Sequence, residues 1–311
     1  MNYICNKHLS TTQKPPKISI GVPIHNGAHF IEARLNSILN QTYTDFEVII
    51  SDNASTDTTE KICKKFQNND KRIKIFRQKT NLGLFWNFKF VLDQANGDYF
   101  VIANVDDLWE KDFLQENLQV LESNPKVVVS MGKIIRYGSV DKFMKNLSDK
   151  KIKRLYKKFR QKFRPFNIYS VTGDFKTKAE FCLRNYNFWI QFGLFRRSEL
   201  QKSMLDNPFY GWDYALVINT LRYGDVHIVD KILMQFYSKG ASGKGIIEFL
   251  KQQKLSKFDL FLPNAQLTKW CIKNIGIKFF IKNIDYFIRL NLLTMISTVI
   301  SVIIEKSVIK K

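Results

Sequence analysis

Histidine and cysteine are scarce in this chain, with four of each among 311 residues. No histidines pair at metal-ligand spacing, which leaves little room for a zinc enzyme. Cys5, Cys63, Cys182 and Cys271 are scattered and form no CxxC. That argues against a zinc site or a disulfide framework and fits a reducing compartment. The first residues hold no apolar core of the kind a secretory signal needs, so none is expected. No run reaches about 18–20 uncharged apolar residues, and no spanning helix is expected. Acidic residues are also short: 28 Asp and Glu stand against 49 Lys and Arg, a formal charge of +21. Such an excess implies an anionic partner, whether nucleic acid, a membrane surface or a phosphorylated substrate. Apolar residues are not lacking, at 45%. A sizeable core is affordable and global disorder is excluded.

The stretch DYFVIANVDDLW (98–109) organises the rest. Tyr99 to Ala103 form a short apolar run after Gly97, as expected of a strand buried on both faces of a parallel sheet. The run ends in Asn104, Val105, Asp106 and Asp107. Two adjacent carboxylates at the end of a buried strand are costly unless a positive group meets them. The C-terminal strand ends of an open α/β sheet are where ligands bind, and a divalent cation carrying a diphosphate suits that place. The plainer alternative is that the pair ends the strand or caps a helix starting near Asp112.

Before this stretch the pattern alternates. Strands are expected at 17–23, 46–52 and around 73–76, and helices over 30–39, from the D-x-x-E capping box at Asp57–Glu60 towards Phe66, and over 84–95. Alternation of this kind predicts a mainly parallel sheet flanked by helices. A helix at 112–123 and a strand at 127–135 continue it. Strand character returns at 188–195. Gly211-Trp212-Asp213 opens a helix, and 226–236 reads as a strand or strand pair. Lys239–Gly245 (KGASGKG) is a glycine-rich basic loop without the P-loop pattern.

Three segments stand apart. Residues 1–16 read as a loose tail. Residues 141–164 hold eleven Lys and Arg against two Asp, with apolar residues at helical spacing. This is either a solvated helix packed on the domain or a surface for anionic lipid or phosphate. In the tail, 246–311, Lys278, Lys282, Asp285 and Arg289 share one helical face, and Asn291, Thr294, Thr298 and Ser301 make a weak polar stripe. These helices either lie in a membrane interface or pack on the domain or on a second copy. The division expected is therefore 1–16, a domain over 17–245 (17–110 and 111–245) and an appendage over 246–311.

Several stretches coincide in order and spacing: ISIGVPIHN (18–26), SILNQTY (37–43), EVIISDNASTD (47–57), NLG with Asn87 (81–87) and GDYFVIANVDDLW (97–109). Together they resemble the family 2 glycosyltransferases of the GT-A fold, over about the first 110 residues and more weakly to 245. The resemblance implies transfer of a sugar, with inversion, from a nucleotide-diphosphate donor to a hydroxyl acceptor. The acceptor would be a saccharide or lipid-linked saccharide in surface polysaccharide or glycolipid assembly. It makes Asp52 the carboxylate that contacts base or ribose, with Pro23 and Asn26 beside the base. Asp106 matches the second Asp of the family's D-x-D, the ligand of Mg²⁺ or Mn²⁺ on the diphosphate, with Asp107 near the metal. Asn104 stands where the first Asp is usual, and His25 where Tyr is common. Asp213 matches the general base, or else caps its helix. Lys239 or Lys244, and less directly Arg196 and Arg197, would meet the leaving diphosphate. A cytoplasmic protein, peripheral at the inner face of the membrane, is expected.

Two rivals remain. A nucleic-acid-binding protein would need a recognised module or aromatics interleaved with a basic face; no such module is present, and without a metal the acidic pair would repel phosphate. A non-catalytic partner subunit is favoured by Asn104 and opposed by Asp52, Asp106 and Asp213.

Overall fold

The computed structural model describes residues 14–137, 168–237 and 262–309. The basic segment 141–164, the 239–245 loop with Lys239 and Lys244, and most of the N-terminal tail lie outside the described residues.

Four strands make the parallel half of the sheet: β1 (Ile18–Ile24), β2 (Phe46–Asp52), β3 (Ile73–Arg77) and β4 (Tyr99–Ile102). β1 pairs with β2 and β4, and β2 with β3, all in parallel. Every residue of β1, β2 and β4 is buried, which is why these stretches read as near-continuous apolar runs. The helices α1 (Ile31–Leu39), α2 (Thr59–Asn69) and α3 (Leu84–Asp93) are the crossovers. Gly97 admits the close approach of β1: a Cβ there would lie 2.7 Å from the Ser19 nitrogen.

The second half mixes directions. After β5 (Leu108–Trp109) come α4 (Phe113–Ser123), β6 (Val127–Tyr137), α5 (Phe175–Asn185), β7 (Leu194–Arg196), α6 (Arg197–Ser203), α7 (Trp212–Thr220) and β8 (Asp225–Tyr237). The eight strands run in the order β3-β2-β1-β4-β7-β6-β8-β5. β7 is antiparallel to both neighbours, β6 and β8 are parallel, and β5 is antiparallel to β8. β4 and β5 are thus four places apart in the sheet yet joined by residues 103–107 alone. On a flat sheet they would stand roughly 19 Å apart, about the full reach of so short a link. The link contains a turn, so the sheet curls to bring its far edge back.

Several expectations need correction. Only the end of 188–195 is a strand; Trp189–Phe192 is a 3₁₀ turn. A short apolar run does not distinguish a strand from a buried helical turn, and here Gly193 bonds back to the Ile190 carbonyl. The capping box does not form. Asp57 accepts from Thr59 N at 3.0 Å, but Glu60 turns to Lys64 and Arg77 instead of reciprocating. β5, α5 and α6 were not anticipated. α5 has a visible start signal, since Asp174 caps it by accepting from Lys176 N and Thr177 N.

The C-terminal residues form α8 (Ala265–Ile275), α9 (Ile277–Lys282) and α10 (Ile284–Ile309). Asn291, Thr294 and Thr298 of the polar stripe face the protein, not water. Asn264 donates to the Thr294 hydroxyl at 2.8 Å and Asn291 to the Thr268 hydroxyl at 3.0 Å. Thr294 and Thr298 are buried. The charged face stays exposed, and two of its residues reach α5 from the surface: Lys282 meets Glu180 and Asp285 meets Arg184. Among the described residues no helix is long and apolar enough to cross a membrane.

Candidate active site

The C-terminal ends of β1, β2 and β4 form the floor of the site. The loops after β1 and β2 are laced together. His25 Nδ1 lies 2.9 Å from the Asn53 carbonyl, so Nδ1 carries the proton. Nε2 is then left to accept from the Asn26 amide at 3.3 Å. Asn26 takes φ of 51° and Ala54 φ of 59°. Both stand in the left-handed region that costs a side chain energy. Cross-loop bonds hold them there: Asn26 Oδ1 accepts from Thr56 N at 2.8 Å, and Asn26 N donates to the Ser55 hydroxyl at 2.9 Å. Asn53 reaches the other way, to Asn81 and Leu82 N, which fixes the NLG loop ahead of α3.

Asp52, the last residue of β2, is fully buried. One oxygen accepts from Ser55 N at 2.8 Å and the other pairs with Arg77. Arg77 is Asp52's register partner on β3. It also donates to the Ser55 carbonyl at 2.8 Å and pairs with Glu60 at 3.2 Å. Sequence reasoning missed Arg77 and Asn53. A signal for Arg77 was present: it closes the third strand just as Asp52 closes the second.

The acidic turn follows β4. Asp107 is 1% exposed and accepts from Tyr237 N at 3.0 Å and from the Asn104 amide at 3.4 Å. Burial, reinforced by Asp106, pushes its carboxyl well above the usual range. Arg34 of α1, also fully buried, donates to the Asp107 backbone carbonyl at 3.0 Å and lies 3.9 Å over the Trp109 ring. Its Nε and Nη2 have no hydrogen-bond partner among the described residues. Burial lowers its pKa against the pull of Asp107 and Asp106. The Tyr137 hydroxyl donates to the Asp106 carbonyl at 2.7 Å. Asp107 thus holds the turn to the end of β8. Asp106 is half-buried at the crest of the turn.

A cavity of about 150 Å³ opens beside this turn, with Pro23, Asn104 and Asp213 in its lining and Phe88, Phe192 and Trp212 among its walls. Asp213 lies in the first turn of α7, whose N-cap is Gly211 at φ 86°. The N-cap role once open to Asp213 is therefore taken by its neighbour. Arg196 and Arg197 are at the wrong end of the sheet for a phosphate. Arg196 donates to the carbonyls of Leu121, Asn124 and Val127, and Arg197 to that of Gly97.

Among the described residues no group of three or more His, Cys, Asp or Glu is gathered for a metal. The donor set still fits one kind of ion. Mg²⁺ and Mn²⁺ in phosphate sites take one or two carboxylates and draw other ligands from phosphate and water, and Asp106 and Asp107 stand side by side on this turn. Cys63, Cys182 and Cys271 are buried free thiols pushed up to about 12 by burial, and have no place in this chemistry.

The curled, mainly parallel sheet with ligand-facing strand ends is a GT-A type fold. The model of glycosyl transferase family 2 matches residues 19–180, more than half of the chain, and the chain belongs to that family. A GalNAc(5)-diNAcBac-PP-undecaprenol β-1,3-glucosyltransferase of Campylobacter jejuni is 27% identical over 214 residues, 68% of this chain and 62% of that protein. An abequosyltransferase of Salmonella typhimurium is 43% identical over 100 residues, 31% of this chain and 30% of that one. A putative teichuronic acid biosynthesis glycosyltransferase of Bacillus subtilis is 32% identical over 110 residues, 35% and 44% of the two chains. In each case the chain spans less than two-thirds of the relative's length. Among solved structures, Staphylococcus aureus TarS 1-349 in complex with UDP-GlcNAc matches with a TM-score of 0.55 at 18% identity, over 76% of this chain and 64% of that one. The Pyrobaculum calidifontis mannosyltransferase in complex with GDP-Man and Mn²⁺ matches at 0.53 and 18%, over 93% and 74%. At such identity the likeness is one of fold.

Proposed function

We propose that this chain transfers a sugar from a nucleotide-diphosphate donor to a hydroxyl of a saccharide or lipid-linked saccharide, with inversion, in bacterial-type surface polysaccharide or glycolipid assembly. The observation that carries the reading is the cavity lined by Pro23, Asn104 and Asp213 at the ends of β1 and β4, next to the acidic turn. Pro23, Asn26 and Asp52 form the nucleotide side. Asp52, held by Arg77 and Ser55 N, meets base or ribose when one of these partners yields its oxygen. Asn104 offers an amide to a ribose hydroxyl. Asp106 would hold Mg²⁺ or Mn²⁺, which would supply positive charge for the leaving diphosphate. Lys239 adds positive charge there. Asp213 takes the proton of the attacking hydroxyl.

The Campylobacter relative, whose name specifies an undecaprenol-linked substrate, supports a lipid-linked acceptor. We therefore place the protein at the inner face of the cytoplasmic membrane, as a peripheral enzyme. A thermal-shift screen of nucleoside diphosphates and nucleotide-sugars, with and without Mn²⁺, tests the reading. Ligand bound only to the native state raises Tm. The expected result is a Mn²⁺-dependent rise with one nucleoside diphosphate and its sugar; no rise with any of them overturns it.

A further inference from the structure

The C-terminal helices show an inverted polarity. On α10 the buried face carries Tyr286, Phe287, Leu290, Thr294 and Thr298. The opposite face carries Ile284, Ile288, Leu292, Ile296 and Val299, each 43–54% exposed. Ile277 and Ile281 of α9 are exposed at 54% and 60%. No other part of the described residues concentrates large exposed aliphatic side chains in this way. A contiguous apolar surface of this kind marks an interaction site.

The helix is held in this roll by its polar side. Asn264–Thr294 and Asn291–Thr268 bonds would be left unsatisfied in a buried place if α10 turned to hide its isoleucines. A buried polar group stripped of its partner is costly. The outward face is therefore built in and is not a packing accident.

The shape of the face discriminates between occupants. Ile284, Ile288, Leu292 and Ile296 step by four, and at 100° per residue they fan over about 120° of the helix. A partner helix in a coiled coil wants the narrower seam of alternating three and four. A broad aliphatic sector suits a flat hydrocarbon surface. Charge agrees: Lys278 and Arg289 are exposed beside the row, and the whole chain carries +21, which complements anionic lipid.

We propose that Ile277, Ile281 and the aliphatic face of α10 are the membrane-docking surface. They lie flat in the outer hydrocarbon of an anionic leaflet, with Lys278 and Arg289 at its headgroups. This rests on the membrane placement above and adds which face meets the lipid and what fixes it there.

The full chain is mixed with vesicles of phosphatidylcholine alone or with phosphatidylglycerol, and floated on a density gradient. The wild type is expected to float with the anionic vesicles. The triple variant Ile288→Ser, Leu292→Ser, Ile296→Ser is expected to bind at least about 100-fold more weakly, since an aliphatic side chain buried in hydrocarbon contributes about tenfold or more. Its Tm and its Mn²⁺-dependent nucleotide binding should equal the wild type's. A second variant, Leu292→Trp, should show a blue-shifted emission with anionic vesicles and quenching by lipids labelled in the acyl chain. A wild type that never floats, a triple variant that floats equally, or an unquenched Trp overturns the proposal. So does a wild-type dimer that the triple variant dissolves, which would assign the face to a second copy. Vesicle binding without nucleotide binding would instead remove the enzymatic reading and leave this surface standing.

Discussion

The carboxylate of Asp107 accepts the backbone N–H of Tyr237 at 3.0 Å, joining the turn after β4 to the last residue of β8. One buried acid ties the two parts of the chain that flank the site, the acidic turn and the segment leading to Lys239. Asp107 thereby steadies the turn whose crest carries Asp106.

Replacing Asp107 by Ala strands the Tyr237 N–H and the Asn104 amide in a buried place. The loss should be about 1–3 kcal/mol, read as an earlier midpoint in urea unfolding. Asp107→Asn keeps an acceptor and should lose less. Equal midpoints for wild type and Asp107→Ala would mean the tie does not hold the turn.

Asn104→Asp restores the acid usual in the family and removes the amide that Asp107 accepts. Three carboxylates then crowd one turn, and like charges so close disfavour ionisation. Tm should fall without divalent cation and recover with Mn²⁺, and by more than the wild type gains. Asp106→Ala should keep its Tm without metal and lose Mn²⁺-dependent nucleotide binding. Retained binding in that variant would reject Asp106 as the ligand.

Asp213→Asn should bind donor as the wild type does and turn over slower by roughly two or more orders of magnitude. Since Gly211 is the N-cap, the substitution should leave Tm nearly unchanged. A large fall in Tm with a small fall in turnover would assign Asp213 to the scaffold.

Arg77→Ala leaves the Asp52 carboxylate buried without its cation. Breaking such a pair costs about 3–5 kcal/mol, less here to the extent that Arg77 is 40% exposed. Donor affinity should fall as well, because Asp52 then has no fixed position. Arg77→Lys should recover part of both. If Arg77→Ala binds nucleotide as tightly as wild type, Asp52 does not depend on this partner.

The first half of the fold was readable because β1, β2 and β4 are buried on both faces and separated by amphipathic helices. The second half was less so for physical reasons. FWIQFGLF is apolar throughout, and an apolar run carries no period. β5 has two residues, too few to alternate. In the tail, spacing showed which residues share a face but not which face the protein covers; that was decided by Asn264 and Thr268, far away in sequence. At the site, Asp52, Asn104, Asp106 and Asp213 stand out by position, and Pro23, Asn104 and Asp213 do share a cavity. Arg34 was invisible: a cation in the middle of an amphipathic helix reads as solvent-facing, and only the Trp109 ring and the Asp107 carbonyl bring it inside.

The link 103–107 has a further consequence for how this protein can vary. It joins a central strand to the sheet's far edge through one turn, and that turn also presents Asp106. An added or deleted residue would shift the closure and the acid together. Natural or engineered length changes should therefore be absent from this link. Substrate range must diversify elsewhere, by side-chain exchange around the cavity.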